Sequence, residues 1–574
     1  VDLLARASTL PTSNSLAVFV YQRLPNDTDF SVPKARGIAG LNYAFIDTQF
    51  DYHSPTSTPA TLDKGSLQHI GQEALGAARA VAFADALPNR APDRVYDSLL
   101  GLKIVSYPPA AGWLIVLTAA ALVAAATLRA RKAGRLAWLD LAQGAAAGLY
   151  LLGLAVTLQH LVGRFASGGR VFLESRGVLA RFDLFEAGVL AMALAALLFT
   201  GAMLARGRRR LVMAALPLAA GLAGSAVVGF DLFGAAAGAA TAVLALLVFG
   251  RPLERAGAWA GILLTGLLAG AAAQGAAPLA AFVLTWPLLV GAILAFATDL
   301  GERGGAWRWG LTLALAAVAV GWLLQLGISL LVGMGQAEGP ALILWLAAFA
   351  LWPLLPAGRA GWIGGAAALI VGVAIALALR VGEPWSERYP KSVYAIFHQD
   401  AATGRGWRVT DGGDAGWDRA VLGGEGQAHR TAPEVRLARR AAPAPAIAQP
   451  PPQVAVARLP DGRVRVTATP APGSDNVSLE VKSSVAMDGL TAGGVPVAGR
   501  VPAGRKLSLR WEAARDGVAL EFRPAGAGAL EIAMGSLVPS WPATAAPPPP
   551  MPERTVGFFS SGSTLVTDKR RVSF

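Results

Sequence analysis

The sequence predicts a multi-domain membrane protein: the C-terminal remnant of an α/β domain, a polytopic α-helical membrane block of about ten spans, and a β-rich C-terminal domain. Three observations carry this. Apolar residues make up 54% of the 574 and charged residues only 15%, with a mean hydropathy of +0.47, more than a water-facing surface can hide. The apolar excess is concentrated between about residues 110 and 379, in stretches of the length that a hydrocarbon core requires. Beyond it, short alternating runs separated by Asp-Gly turns read as strands. The expected divisions are 1–86 for the α/β segment, 87–110 for a linker, 111–380 for the membrane helices and 384–574 for an outer β-rich domain.

In the first segment, Gly40-Leu41-Asn42-Tyr43-Ala44-Phe45-Ile46 reads as a buried strand. The polar turn Phe50-Asp51-Tyr52-His53-Ser54-Pro55 follows at its C-terminal side, where open α/β sheets place their sites. Leu62-Asp63-Lys64-Gly65-Ser66 then opens a helix, with Asp63 or Ser66 as N-cap and Leu67, Ile70, Leu75 and Ala78 at helical spacing to about Ala84.

The helical block holds ten stretches near 112–128, 138–162, 185–205, 211–229, 232–250, 257–274, 278–298, 309–333, 340–356 and 361–379. Alternate loops carry cations: Arg129, Arg131, Lys132 and Arg135 after the first, Arg206 and Arg208 to Arg210 after the third, Arg251 and Arg255 after the fifth, Arg303 and Arg308 after the seventh, Arg359 after the ninth. Because such residues resist translocation, these loops are expected on the cytoplasmic side. Turns near Phe230, Gln274 and Gln336 lack Lys and Arg, while the loop with Arg164, Arg170, Arg176 and Arg181 breaks the pattern. Any even number of spans sets both terminal blocks outside, periplasmic if the membrane is a bacterial inner one. Ionisable residues are scarce within the stretches, with Asp140, Glu186, Asp231 and His160 near ends, which favours an anchor or scaffold over a coupled transporter. The run Gly234-Ala235-Ala236-Ala237-Gly238 is read as close helix packing.

In the last block, 454–459 and 463–468 flank Pro460-Asp461-Gly462 as strand, turn and strand, and a second hairpin is expected to join 507–511 to 518–522 through Arg515-Asp516-Gly517. Pro-rich stretches at 442–452 and 547–552 read as loops, and the whole as a small β-sandwich. No catalytic constellation is legible there; His398 and His429 read as surface or structural residues.

The chain has no cysteine, which removes disulfides, thiolate metal sites and cysteine nucleophiles together. Any metal must be held by His, Asp or Glu. The net charge of +13 is explained by membrane orientation rather than by nucleic acid, so no nucleic-acid partner is expected. The chain opens at Val1 without a targeting signal, and the expectation is that the true N-terminus lies upstream.

Four strings in order resemble the end of the catalytic domain of the co-catalytic di-zinc aminopeptidase family, especially its membrane-bound branch of vacuolar membrane protease and endoplasmic reticulum metallopeptidase type. They are Leu24-Pro25-Asn26-Asp27-Thr28-Asp29-Phe30, Gly40 to Ile46, Tyr52-His53-Ser54-Pro55, and Leu62-Asp63-Lys64-Gly65-Ser66-Leu67-Gln68-His69. The resemblance implies a zinc-dependent exopeptidase acting on peptides at the surface of a lipid bilayer, with two zinc ions in the complete protein. It implies that His53 is the last zinc ligand and that Tyr52 lies beside the scissile carbonyl. A neutral imidazole suits zinc, and a phenol donor suits a developing oxyanion. By the same analogy Asn26 and Asp29 border the substrate pocket, Asp29 as the nearer polar contact.

Simpler roles fit the same residues: Asp27 and Asp29 as turn formers, Tyr52 as a packing residue, His69 as a core or capping histidine. Pro55-Thr56-Ser57-Thr58 departs from the family, where an acidic residue commonly follows the proline. The family's earlier histidine, bridging aspartate, paired glutamates and further aspartate have no counterparts ahead of Asp2. One histidine cannot hold two zinc ions, so the chain as written is expected to be inactive, a truncated form of a peptidase. The alternative is a non-enzymatic membrane scaffold or transporter with outer binding domains; a membrane glycosyltransferase lacks the acidic pair that it would need near the first spans.

Overall fold

A computed structural model describes residues 1–23, 28–46, 49–86, 91–168, 176–205, 209–301, 304–334, 337–356, 358–412, 414–429 and 439–574. The chain divides into two compact units, Val1–Phe50 with Pro59–Pro384, and Asp51–Thr58 with Trp385–Phe574. The short excursion at Asp51–Thr58 is the histidine-bearing turn.

The first unit opens with α1 (Asp2–Ala7), α2 (Ser15–Tyr21), α3 (Ser31–Ala35) and α4 (Lys64–Ala82). Asp63 caps α4, its carboxylate accepting from the Ser66 amide at 2.6 Å, which settles the choice of N-cap. Gly40 to Ile46 is not the expected buried strand: the segment has no ladder, and Leu41, Phe45 and Ile46 are exposed. A core strand needs partners on both edges, and among the described residues none lies beside it. Residues 95–107, expected as linker, instead form an antiparallel hairpin of β1 (Val95–Leu99) and β2 (Lys103–Tyr107), its turn made by Leu100 and Gly101 at positive φ. The hairpin is tied down by the Trp322 indole donating to buried Asp97 at 3.1 Å and the Trp286 indole donating to the Tyr107 hydroxyl at 3.1 Å.

The helical block follows as α5 (Gly112–Lys132), α6 (Trp138–Ser167), α7 (Arg176–Leu179), α8 (Phe182–Leu204), α9 (Arg210–Ala223), α10 (Ser225–Val228), α11 (Leu232–Val248), α12 (Arg255–Ala276), α13 (Phe282–Ala297), α14 (Ala306–Met334), α15 (Gly339–Leu351) and α16 (Gly358–Val381). Nine of the ten apolar stretches each hold one α-helix, while the fourth, 211–229, is divided between α9 and the short α10. Among the described residues six are long and apolar enough to cross a membrane (α5, α6, α8, α12, α14 and α16), while α9, α11, α13 and α15 are shorter. The Gly234 to Gly238 run does bring helices close: a Cβ at Gly238 would sit 2.5 Å from the Pro217 carbonyl oxygen on α9. Backbone contact of this kind admits no side chain.

The second unit contains β3 (Lys391–Val393), β4 (Ala395–Asp400), β5 (Arg405–Thr410), α17 (Ala415–Leu422), β6 (Gln427–His429), β7 (Arg439–Ala444), β8 (Gln453–Arg458), β9 (Val464–Thr469), β10 (Val477–Ser483), β11 (Met487–Ala492), β12 (Val495–Val501), β13 (Lys506–Trp511), β14 (Val518–Pro524), β15 (Ala529–Val538), β16 (Thr555–Gly557) and β17 (Thr564–Ser573). Among the described residues they make an eight-stranded sheet in the order β13-β10-β15-β17-β4-β5-β7-β6, a five-stranded sheet in the order β12-β11-β14-β9-β8 and a two-stranded parallel pair of β16 and β3. Val464, Val466, Leu520 and Phe522 of the smaller sheet share one core with Leu479, Val481, Ile532 and Met534 of the larger, so the two sheets pack face to face. The first expected hairpin is present, with Val456 opposite Val466. The second is not: β13 pairs with β10 while β14 pairs with β9 and β11 in the other sheet. The intervening residues carry the chain between sheets, anchored by the Ala514 amide on the Asp475 carbonyl at 2.6 Å. His398 is structural, bonded to the Thr567 hydroxyl at 2.9 Å and stacked on Trp407. His429 ends β6.

Candidate functional site

The histidine-bearing turn is built from short-range bonds. The Ser54 amide donates to the Asp51 carbonyl at 3.2 Å and the Ser57 amide to the Ser54 carbonyl at 3.0 Å. The Ser54 hydroxyl lies 2.9 Å from that of Thr56 and accepts from the Thr56 amide, so hydroxyls brace the loop. His53 takes the left-handed conformation with φ 47°, uncommon for a residue with a Cβ and stored strain that such a braced turn sustains. Its ring lies 3.9 Å from that of Tyr52, and both side chains are exposed, Tyr52 at 69%.

The strongest tether is Asp51. Its two carboxylate oxygens accept from the Arg388 guanidinium at 3.0 and 2.6 Å, a bidentate pair across 337 residues of sequence. The planar fork of arginine matches a carboxylate at both oxygens. The hydrogen bond and charge of Asp51 hold the Arg388 guanidinium above its ordinary pKa. Arg388 therefore sets the base on which Tyr52 and His53 are displayed, and nothing in the local sequence announces it.

Asp29 is exposed on a turn, its carbonyl accepting from the Val32 amide at 3.4 Å. Asn26 and Asp27 lie outside the described residues. His69 on α4 bonds the Leu10 carbonyl at 2.7 Å, and buried Glu73 accepts from the Thr9 and Leu10 amides, so this helix face holds the chain's first turns in place. Among the described residues no group of three or more His, Asp or Glu is arranged to hold a metal ion. Asp51, the carboxylate adjoining the turn, is already committed to Arg388. The described residues thus do not constitute a zinc site, and His53 stands as a single exposed imidazole.

A different polar cluster escaped the sequence reading, because its members are far apart in the chain. His160 of α6 lies between the Asp231 carboxylate at 2.7 Å and the Glu338 carboxylate at 2.5 Å, with Arg164 at 3.5 Å from the same Asp231 oxygen. Asp231 also caps α11 through the Gly234 amide. The cluster ties helix ends together, and both ring nitrogens of His160 are taken.

Residues 3–78, which contain the turn, match the family model "Peptidase family M28". The match covers the N-terminal segment alone. Three curated relatives align over 122 residues at 30% identity: endoplasmic reticulum metallopeptidase 1 of Mus musculus, of Rattus norvegicus and of Homo sapiens. The aligned stretch is 20% of this chain and spans only 14% of the length of those relatives. No solved structure matches.

Proposed function

We propose that the chain is the membrane-anchored portion of a zinc-dependent exopeptidase of aminopeptidase type, related to the membrane-bound branch of the family. The reading rests on the match of residues 3–78 to Peptidase family M28, the segment that holds His53. In it, residues 1–86 belong to an α/β peptidase domain. The exposure of Leu41, Phe45, Ile46, Leu67 and Leu75 supports this, because exposed apolar residues grouped in this way mark a surface that packs against other structure. His53 contributes one zinc donor. Tyr52 donates toward the substrate carbonyl, and Asn26 and Asp29 border the pocket. The helical block spans the membrane an even number of times, ten if every apolar helix crosses, and both terminal blocks face away from the cytoplasm, periplasmic in a bacterium.

The test uses the gene product as the cell makes it, in its own membranes. Release of the first residue from peptides with a free α-amine, absent for N-acetylated peptides and abolished by His53→Ala with membrane insertion intact, is the expected result. Undiminished turnover in His53→Ala refutes the ligand role. A second reading, a non-enzymatic scaffold with outer binding domains, is favoured by the absence of a metal-holding group among the described residues. It predicts no hydrolysis and no bound zinc in the wild type.

A further inference from the structure

Where α5 ends and α6 and α12 begin, an open cavity of about 760 Å³ is lined by Arg131, Lys132, Arg135 and Arg251 against the carboxylates of Asp140 and Glu254. Its volume is in the range of small-ligand sites. The four cations differ in what they already hold. Arg135 donates to Asp299 at 2.6 Å and Arg251 to Asp140 at 2.8 Å, so these two are neutralised in place. Arg131 lies over the Trp138 ring at 4.6 Å, and Lys132 has no ion-pair partner among the described residues. Both are exposed, and against the one carboxylate of the lining that is itself unpaired among the described residues, Glu254, they leave the mouth with a net positive charge.

Two further features specify the ligand. The N-caps of α6 and α12, Ala137 and Glu254, both line the cavity, so the positive ends of two helix dipoles border it. Leu128, Trp138 and Leu139 are exposed beside it at 48, 55 and 64%, an apolar rim that includes a tryptophan, a residue type enriched at membrane interfaces. We propose that this cavity binds a phosphate group, with Arg131 and Lys132 as its charge contacts and the apolar rim receiving the acyl chains when that phosphate belongs to an anionic phospholipid. The site is independent of the peptidase reading. Basic recesses between membrane helices suit anionic headgroups.

The full chain, delipidated in detergent, is titrated with dioleoyl phosphatidylglycerol, with dioleoyl phosphatidylcholine and with inorganic phosphate, reading bound lipid by native mass spectrometry and melting temperature by scanning fluorimetry. Arg131→Gln/Lys132→Gln is compared with the wild type and with Arg209→Gln/Arg210→Gln, a basic pair elsewhere on the block. The expected result is binding and thermal stabilisation by phosphatidylglycerol and not by phosphatidylcholine, weakened on the order of tenfold in Arg131→Gln/Lys132→Gln and unchanged in the control pair. Stabilisation by millimolar phosphate, lost in the same variant, supports the site and identifies free phosphate as the source. No response to either anion, or equal loss in both variants, overturns the proposal.

Discussion

His53 is held by a device that its own neighbourhood does not contain. The string around it was legible because Asp, Ser and Pro mark a turn and an exposed imidazole is conspicuous there. The left-handed backbone and the Arg388 clamp were not, since a partner 337 residues away leaves no local periodicity. Arg388→Met should loosen residues 51–58, raising their amide hydrogen exchange by the equivalent of about 1–2 kcal/mol. That lies between a surface ion pair and a well-made charged hydrogen bond. Unchanged exchange would show that the turn stands without the clamp. Asp418 on α17 supplies a pH signature: burial, with Asp411 and Asp414 nearby, pushes its carboxyl from 3.8 to about 6. The folded state then holds a proton that the unfolded chain releases, so this group's contribution to stability declines as pH rises through 4 to 6 and is level above. Asp418→Asn should flatten that decline in the exchange of α17.

At the scale of elements, apolar stretches and turn chemistry were readable wherever the pattern was local. Helix α4 starts where its aspartate cap places it, and the β8–β9 hairpin closes around Pro-Asp-Gly. The failures are non-local. Gly40 to Ile46 carries the composition of a core strand, yet a strand exists only through its ladder, and no partner is present among the described residues. Strands β13 and β14 look like a hairpin, but the long-range β10 pairing takes β13 into the other sheet, a choice that sequence distance hides. The α9–α11 contact gives a direct test. Gly238→Leu must drive a side chain into the Pro217 carbonyl, destabilising the block by about 1–3 kcal/mol, measured as a lower melting temperature in detergent. An unshifted melt would mean that the two helices are not packed at that point.

For the whole molecule, the division into apolar block and β-rich block was written in composition, whereas the hairpin at 95–107 and the pairing of residues 51–58 with the C-terminal unit depend on contacts that composition cannot encode. The absence of cysteine makes topology testable with single introduced thiols. Gln68→Cys and Ala503→Cys should react with an impermeant maleimide in intact cells, and Ala133→Cys only after permeabilisation. Labelling of Gln68→Cys and Ala503→Cys on opposite sides would require an odd number of spans. The central claim, that this chain contributes His53 to a zinc peptidase, is tested most directly by metal content. Zinc is quantified per polypeptide in the native gene product and in its His53→Ala variant, both purified from membranes. The account predicts close to two zinc ions per wild-type chain and a clear loss in the variant; zinc-free wild type, or equal zinc in both, would contradict it.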